Sequence, residues 1–182
     1  MRNVLVPVKL VARGGLWFGG AVILACALLI STDIVLRVVF NQAIDGTDEL
    51  ARFALAISTT WALAGALLDR AHIRVDTAYA QFPGEMRLAC DFAALLAFLI
   101  FFSLILVYGI EMIHQSWTVA AISDSALQLP MVLPQTIWIL GIILFLLADV
   151  ALLVVAGASV LRGDVRKAAA LIGMKTAEEE VQ

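Results

Sequence analysis

Few side chains in this sequence are suited to chemistry, and they fall in short, widely separated pairs. Asp33 and Arg37, Asp48 and Arg52, His72 and Asp76, and Arg87 and Asp91 each stand four apart, and Glu111 and His114 three apart. On a helix either spacing puts both groups on one face, within reach of an ion pair or hydrogen bond. Glu49 stands three before Arg52, so one guanidinium can meet both carboxylates of the Asp48–Glu49 step. None of these pairs grows into a catalytic set. HExxH, GxSxG, a glycine-rich phosphate loop and CxxC do not occur in the sequence. Cys26 and Cys90 are isolated and read as small apolar residues in helix packing. The residues therefore point to neither an enzyme nor a metal or cofactor site.

The elements that carry these pairs are greasy. Apolar residues make up 63% of 182, against roughly 45–50% for a soluble domain. Four long apolar stretches stand out: Leu16–Val39, Phe53–Leu68, Phe92–Ile110 and Met131–Leu161. A hydrocarbon core about 30 Å thick takes roughly 20 apolar helical residues to cross. The chain is therefore expected to be an all-α integral membrane protein. Its spans are placed at 16–39, 50–68, 89–111 and 131–157, with an N-tail over 1–15 and a C-tail over 162–182. The basic start resembles a signal peptide, but the apolar run after it is about twice the usual length. That run ends on Asp33 and Arg37 without a small-x-small site, so it reads as an uncleaved first span. A net charge of −3 gives no footprint for nucleic acid.

Lysine and arginine set the expected orientation. Arg2, Lys9 and Arg13 precede the first span; Arg70, Arg74 and Arg87 fall between the second and third; Arg162, Arg166, Lys167 and Lys175 follow the fourth. The other side holds only Arg37 and Arg52. The positive-inside rule then puts both tails and the middle loop in the cytoplasm, consistent with four crossings. His72 and His114 fall on opposite sides in this arrangement and cannot share a haem or a metal ion.

Several local readings stay open on the sequence alone. Asp33–Arg37 is either an interfacial pair with Arg37 snorkelling outward or a pair buried against another subunit. Thr47 suits an N-cap, with Asp48 and Glu49 favoured in the first turn; the acidic step either starts the helix or fixes a neighbouring chain. Trp61, with Ala62, Ala64, Gly65 and Ala66, faces protein or lipid near mid-membrane. Between the second and third spans, 70–82 reads as an amphipathic interfacial helix. Ala71, Val75, Ala78, Tyr79 and Phe82 share its apolar face, and Arg70, Arg74, Thr77 and Gln81 its polar face. Pro83-Gly84 then turns the chain. The fourth run is overlong: it tilts, or its end beyond Asp149 emerges along the inner surface.

The stretches Asp48-Glu-Leu-Ala-Arg52, Trp61…Gly65, His72-Ile-Arg-Val-Asp76, Phe82-Pro83 and Ser125-Ala-Leu-Gln-Leu-Pro130, in that order, resemble one family. It is the small, DctQ-type membrane subunit of tripartite ATP-independent periplasmic (TRAP) transporters, and the resemblance covers nearly the whole chain. Glycine is usual in that family where Gln128 stands. The resemblance implies a bacterial inner-membrane scaffold for a large elevator-type subunit that carries the substrate and sodium sites. It also implies a transient periplasmic binding protein that delivers an organic acid or related solute. Asp33, Arg37, Glu49, Arg52, Trp61 and Gly65 would then be structural or subunit-interface residues. Arg70, His72, Arg74, Asp76, Tyr79 and Phe82 would anchor the interfacial arm among lipid. None would bind substrate. Two other readings compete: an autonomous four-helix exporter, for which Asp33 is the acidic candidate at depth, and a tetraspan assembly factor outside transport.

Overall fold

The computed structural model describes residues 2–70, 82–125 and 127–173. It holds four long helices, α1 (Arg2–Phe40), α2 (Thr47–Leu68), α3 (Gly84–Thr118) and α4 (Val132–Leu161), and a short α5 (Val165–Ile172). All four long helices are apolar enough to cross a membrane. Helix is the form such runs must take in lipid, where each backbone N–H and C=O needs an internal partner. The chain is thus all-α with four membrane-spanning helices.

The helices run past the apolar stretches that mark them. At 39 residues α1 is about 58 Å long at 1.5 Å per residue, far more than the hydrocarbon core. It continues through Lys9 and Arg13 and takes in Pro7 near its start. α3 continues past Ile110 because Glu111 and Gln115 stay in helical register, Gln115 Nε2 donating to Glu111 Oε1 at 3.3 Å. α4 is a single helix through Leu161, so the chain does not break at Asp149. Asp149 is fully buried, and among the described residues neither of its carboxylate oxygens has a hydrogen-bond partner.

α4 is the central mast. Over half of its apolar window, 56%, is buried inside the chain, against 11% for α1 and for α3. The helices pack in the spatial order α1, α2, α4, α3, with α1 also touching α4. The result is an open wall whose two flanks, α1 and α3, keep wide apolar faces. Trp17, Leu24 and Val38 of α1 and Ile100, Val107 and Tyr108 of α3 are all exposed.

Small residues bring α1 and α2 together. A Cβ on Gly15 would sit 2.9 Å from the Trp61 carbonyl, and one on Gly19 2.7 Å from the Ser58 carbonyl. A Cβ on Gly65 would lie 3.6 Å from the Ala12 carbonyl. Residues 12, 15 and 19 therefore meet 65, 61 and 58 in reverse order, an antiparallel seam of small residues. Between α3 and α4, Phe145 fits against Phe98 (ring centroids 5.9 Å) and Phe102 (4.3 Å). α5 folds back so that Ala168 and Ile172 are buried, and Arg70 donates to the Ala170 carbonyl at 3.0 Å.

The seam makes a matched comparison possible. Gly19→Ala should destabilise the detergent-solubilised chain by about 1–3 kcal/mol, the usual cost of overpacking. Gly20→Ala, whose Cβ meets nothing within 4 Å, should be neutral or gain up to about 1 kcal/mol from helix propensity. Denaturant melts of the two variants would check this, and equal effects would contradict the close approach at Gly19.

Candidate functional site

At the Glu49 end of the wall, two loops and two helix ends enclose a basin of about 710 Å³. Its lining includes Arg37, Asp45, Asp48, Glu49, Arg52 and Asp124. The first loop is held by Asp33. Its Oδ2 accepts from the Arg37 guanidinium at 2.7 Å, and its Oδ1 accepts the Ile44 N–H at 2.6 Å. The Asp33 side chain is 6% exposed and that of Arg37 61%. The pair is therefore split in character: the carboxylate is tucked under the loop and the guanidinium faces the basin. Asn41, at φ 53°, ends α1 and starts the turn.

The N-cap of α2 is Gly46, at φ 83°, and not Thr47. Glycine takes a left-handed backbone without steric cost, so Gly46 can occupy the cap, its carbonyl accepting from Glu49 and Leu50 N–H at 3.1 and 3.0 Å. Thr47 is already helical, and its hydroxyl donates to the Ile44 carbonyl at 2.9 Å. Glu49 also departs from the sequence expectation. Among the described residues no ion pair joins Arg52 to Asp48 or Glu49. Glu49 Oε2 instead accepts from the Ser125 hydroxyl, across 76 positions of sequence. A short polar side chain from the facing loop reaches the carboxylate, and Arg52 is left exposed at the rim.

That facing loop, 119–131, is built to present Ser125. Ser123 N–H donates to the Leu129 carbonyl at 2.9 Å and Met131 N–H to the Ala121 carbonyl at 3.0 Å, closing a narrow neck. Ser123 Oγ lies 3.1 Å from Ser125 Oγ, which also accepts the Leu127 N–H at 3.2 Å. The Leu127 side chain covers Gly46, occupying the space a Cβ there would need. Gln128 adopts φ 44°, a left-handed turn that favours glycine. The turn before Pro130 thus keeps a glycine-like backbone with a glutamine on it.

Deeper in the wall, Trp61 joins three helices. Its Nε1–H donates to the Ile137 carbonyl of α4 at 2.9 Å, and Phe18 of α1 meets its ring edge-on at 4.8 Å. Gly141 makes room, since a Cβ there would fall 2.9 Å from Trp61 Cδ1. Gly65 is buried in the α1–α2 seam one turn further on. Arg70, at φ 58°, follows the end of α2, and its guanidinium turns toward the end of α5. Phe82 is exposed, and its carbonyl accepts from Arg87 Nε at 2.7 Å. His72, Arg74, Asp76 and Tyr79 of the expected arm lie outside the described residues.

Sequence reasoning did not find Ile44, Ser123, Ser125 or Leu127 as partners in the basin. Ser125 is visible only as part of a motif, and nothing local links it to Glu49. Among the described residues Asp149 is the most deeply buried acidic group, whereas the sequence reading offered Asp33 as the acidic candidate at depth. Among the described residues no cluster of His, Cys, Asp or Glu is suited to hold a metal.

Two outcomes test the basin. Glu49→Ala should raise amide hydrogen exchange across 119–131 by about tenfold or more, since a hydrogen bond to a charged group contributes about 1.5–3 kcal/mol. Gln128→Gly should stabilise the chain by about 1 kcal/mol by removing the left-handed strain; a measured loss would contradict that turn.

No curated protein and no solved structure matches the chain significantly. A family model described as "Tripartite ATP-independent periplasmic transporters, DctQ component" matches residues 26–158, from the middle of α1 almost to the end of α4. That match takes in the Asp33 clasp, the basin, the Trp61–Ile137 contact and the α3–α4 core, and on it the chain belongs to the DctQ component family of TRAP transporters.

Proposed function

We propose that this chain is the fixed scaffold subunit of a sodium-coupled TRAP transporter. That transporter would import an organic acid or related solute handed over by a periplasmic binding protein. The observation that carries the reading is the open wall itself. Its mast, α4, is sealed by α2 and α3, while α1 and α3 leave long apolar faces for a companion in the membrane. A larger chain that moves its cargo through the bilayer needs a stationary surface beside it, and such a wall supplies one.

In this reading the chain sits in the bacterial inner membrane with both tails in the cytoplasm, as its lysines and arginines favour. The Glu49 basin then faces the periplasm. Its acidic rim and the exposed Arg37 and Arg52 offer charge to a transiently docked binding protein. Residues 70–82 brace the wall at the inner surface. Catalysis has no part in the role. The autonomous exporter is disfavoured by Asp33, its acidic candidate, which the first loop and Arg37 already occupy.

Reconstitution in liposomes tests the reading. Sodium-driven uptake should require this chain, the large subunit and the binding protein together; uptake by this chain alone would overturn it. Trp61→Ala and Glu49→Ala should each lower the yield of co-purified large subunit by about tenfold, roughly 1.4 kcal/mol. Solute capture by the binding protein should not change.

A further inference from the structure

The first half of α1 carries two hollows in series. One, of about 350 Å³, lies where α1 crosses the end of α2, and Lys9, Arg13, Gly65 and Asp69 are among its walls. The other, of about 470 Å³, is an apolar trough along α1 formed by Leu16, Trp17, Gly20, Ala21 and Leu24. Positions 6, 10, 13, 17, 20 and 24 alternate spacings of four and three, so both hollows open on one face of the helix. Lys9, Arg13, Trp17 and Gly20 are exposed there, and a Cβ on Gly20 would meet nothing within 4 Å.

We propose that this face is a binding site for one anionic phospholipid. Lys9 and Arg13 meet the headgroup phosphate, and an acyl chain lies in the trough over Gly20 against the Trp17 ring. Among the described residues of its lining, two bases against the one carboxylate of Asp69 leave the mouth positive. A guanidinium and an ammonium together suit a phosphate. The length fits as well. Arg13 to Leu24 spans about 16 Å along the helix, close to half of a hydrocarbon core of about 30 Å. The hollow therefore ends at the depth of one leaflet, which leaves the exposed Leu28, Val35 and Val38 further along α1 for a companion chain. A partner helix over the hollow would bury Arg13 in its seam, a costly position for a charge; a phosphate at the interface neutralises it in place.

The test uses the full chain, purified in mild detergent and reloaded with phosphatidylglycerol and phosphatidylethanolamine of identical acyl chains. Native mass spectrometry should show phosphatidylglycerol retained in preference. Lys9→Gln and Arg13→Gln should each lower its retention by about fivefold. The charge-keeping pair Lys9→Arg with Arg13→Lys should preserve it. Gly20→Leu fills the trough without a clash and should expel the lipid while both bases remain; Gly20→Val provides a second filling variant. Equal retention of the two lipids would overturn the proposal. So would full retention in both Gly20 variants.

Discussion

Three helices are tied together where Trp61 reaches α4. The indole spans the gap between α2 and α4, donates to the Ile137 carbonyl and stands edge-on to Phe18 of α1. This works because Gly15 on one side and Gly141 on the other leave no side chain in its way. In lipid there is little hydrophobic drive to bring helices together, so close packing and interhelical hydrogen bonds must do it. The wall's geometry follows from this junction: α1 lies antiparallel to α2, α2 runs alongside α4, and α3 closes the far side through Phe98 and Phe102.

The spans were legible because a bilayer imposes a simple demand. A run such as Leu16–Val39 has one stable form in hydrocarbon, and counting apolar residues finds it. The helix ends were not legible, because beyond the hydrocarbon that demand lapses. α1 continues back to Arg2 through a stretch interrupted by Lys9 and Arg13, and α3 on to Thr118 through Glu111 and Gln115. Asp33–Arg37 could be read from a spacing of four, since one helix sets it. The Ile44 N–H on the same carboxylate could not, because it depends on how the chain turns at Asn41. Glu49 shows the limit most clearly. Local spacing favours Arg52, yet a serine from a distant loop takes the carboxylate. Trp61 and Gly65 announced close packing by type, but one sequence does not say which helix is close.

Polar groups in this chain divide by depth. Near the Glu49 end they are paired through short loops, with carboxylates accepting from backbone, arginine and serine. Among the helices they mostly turn inward onto their own backbone: Ser58, Thr60 and Ser159 donate to carbonyls three or four residues before them. Such bonds leave the outer surface apolar, which suits lipid or another greasy chain. Asp149 stands apart from both groups, walled in by the mast and its neighbours. The chemistry of the wall is thereby concentrated at its ends, and its middle is given over to shape.

The clasp at the other end has a practical corollary. Arg70 grips the last turn of α5, and Gly173 lies beside the Asp91 carboxylate at the foot of α3. The end of α5 is thus held between α2 and the foot of α3, with Ile172 packed into the same core as Ala12 of α1. A bulky reporter joined directly to Gly173 would press on both Arg70 and Asp91, so the grip on α5 sets how closely a handle can follow it.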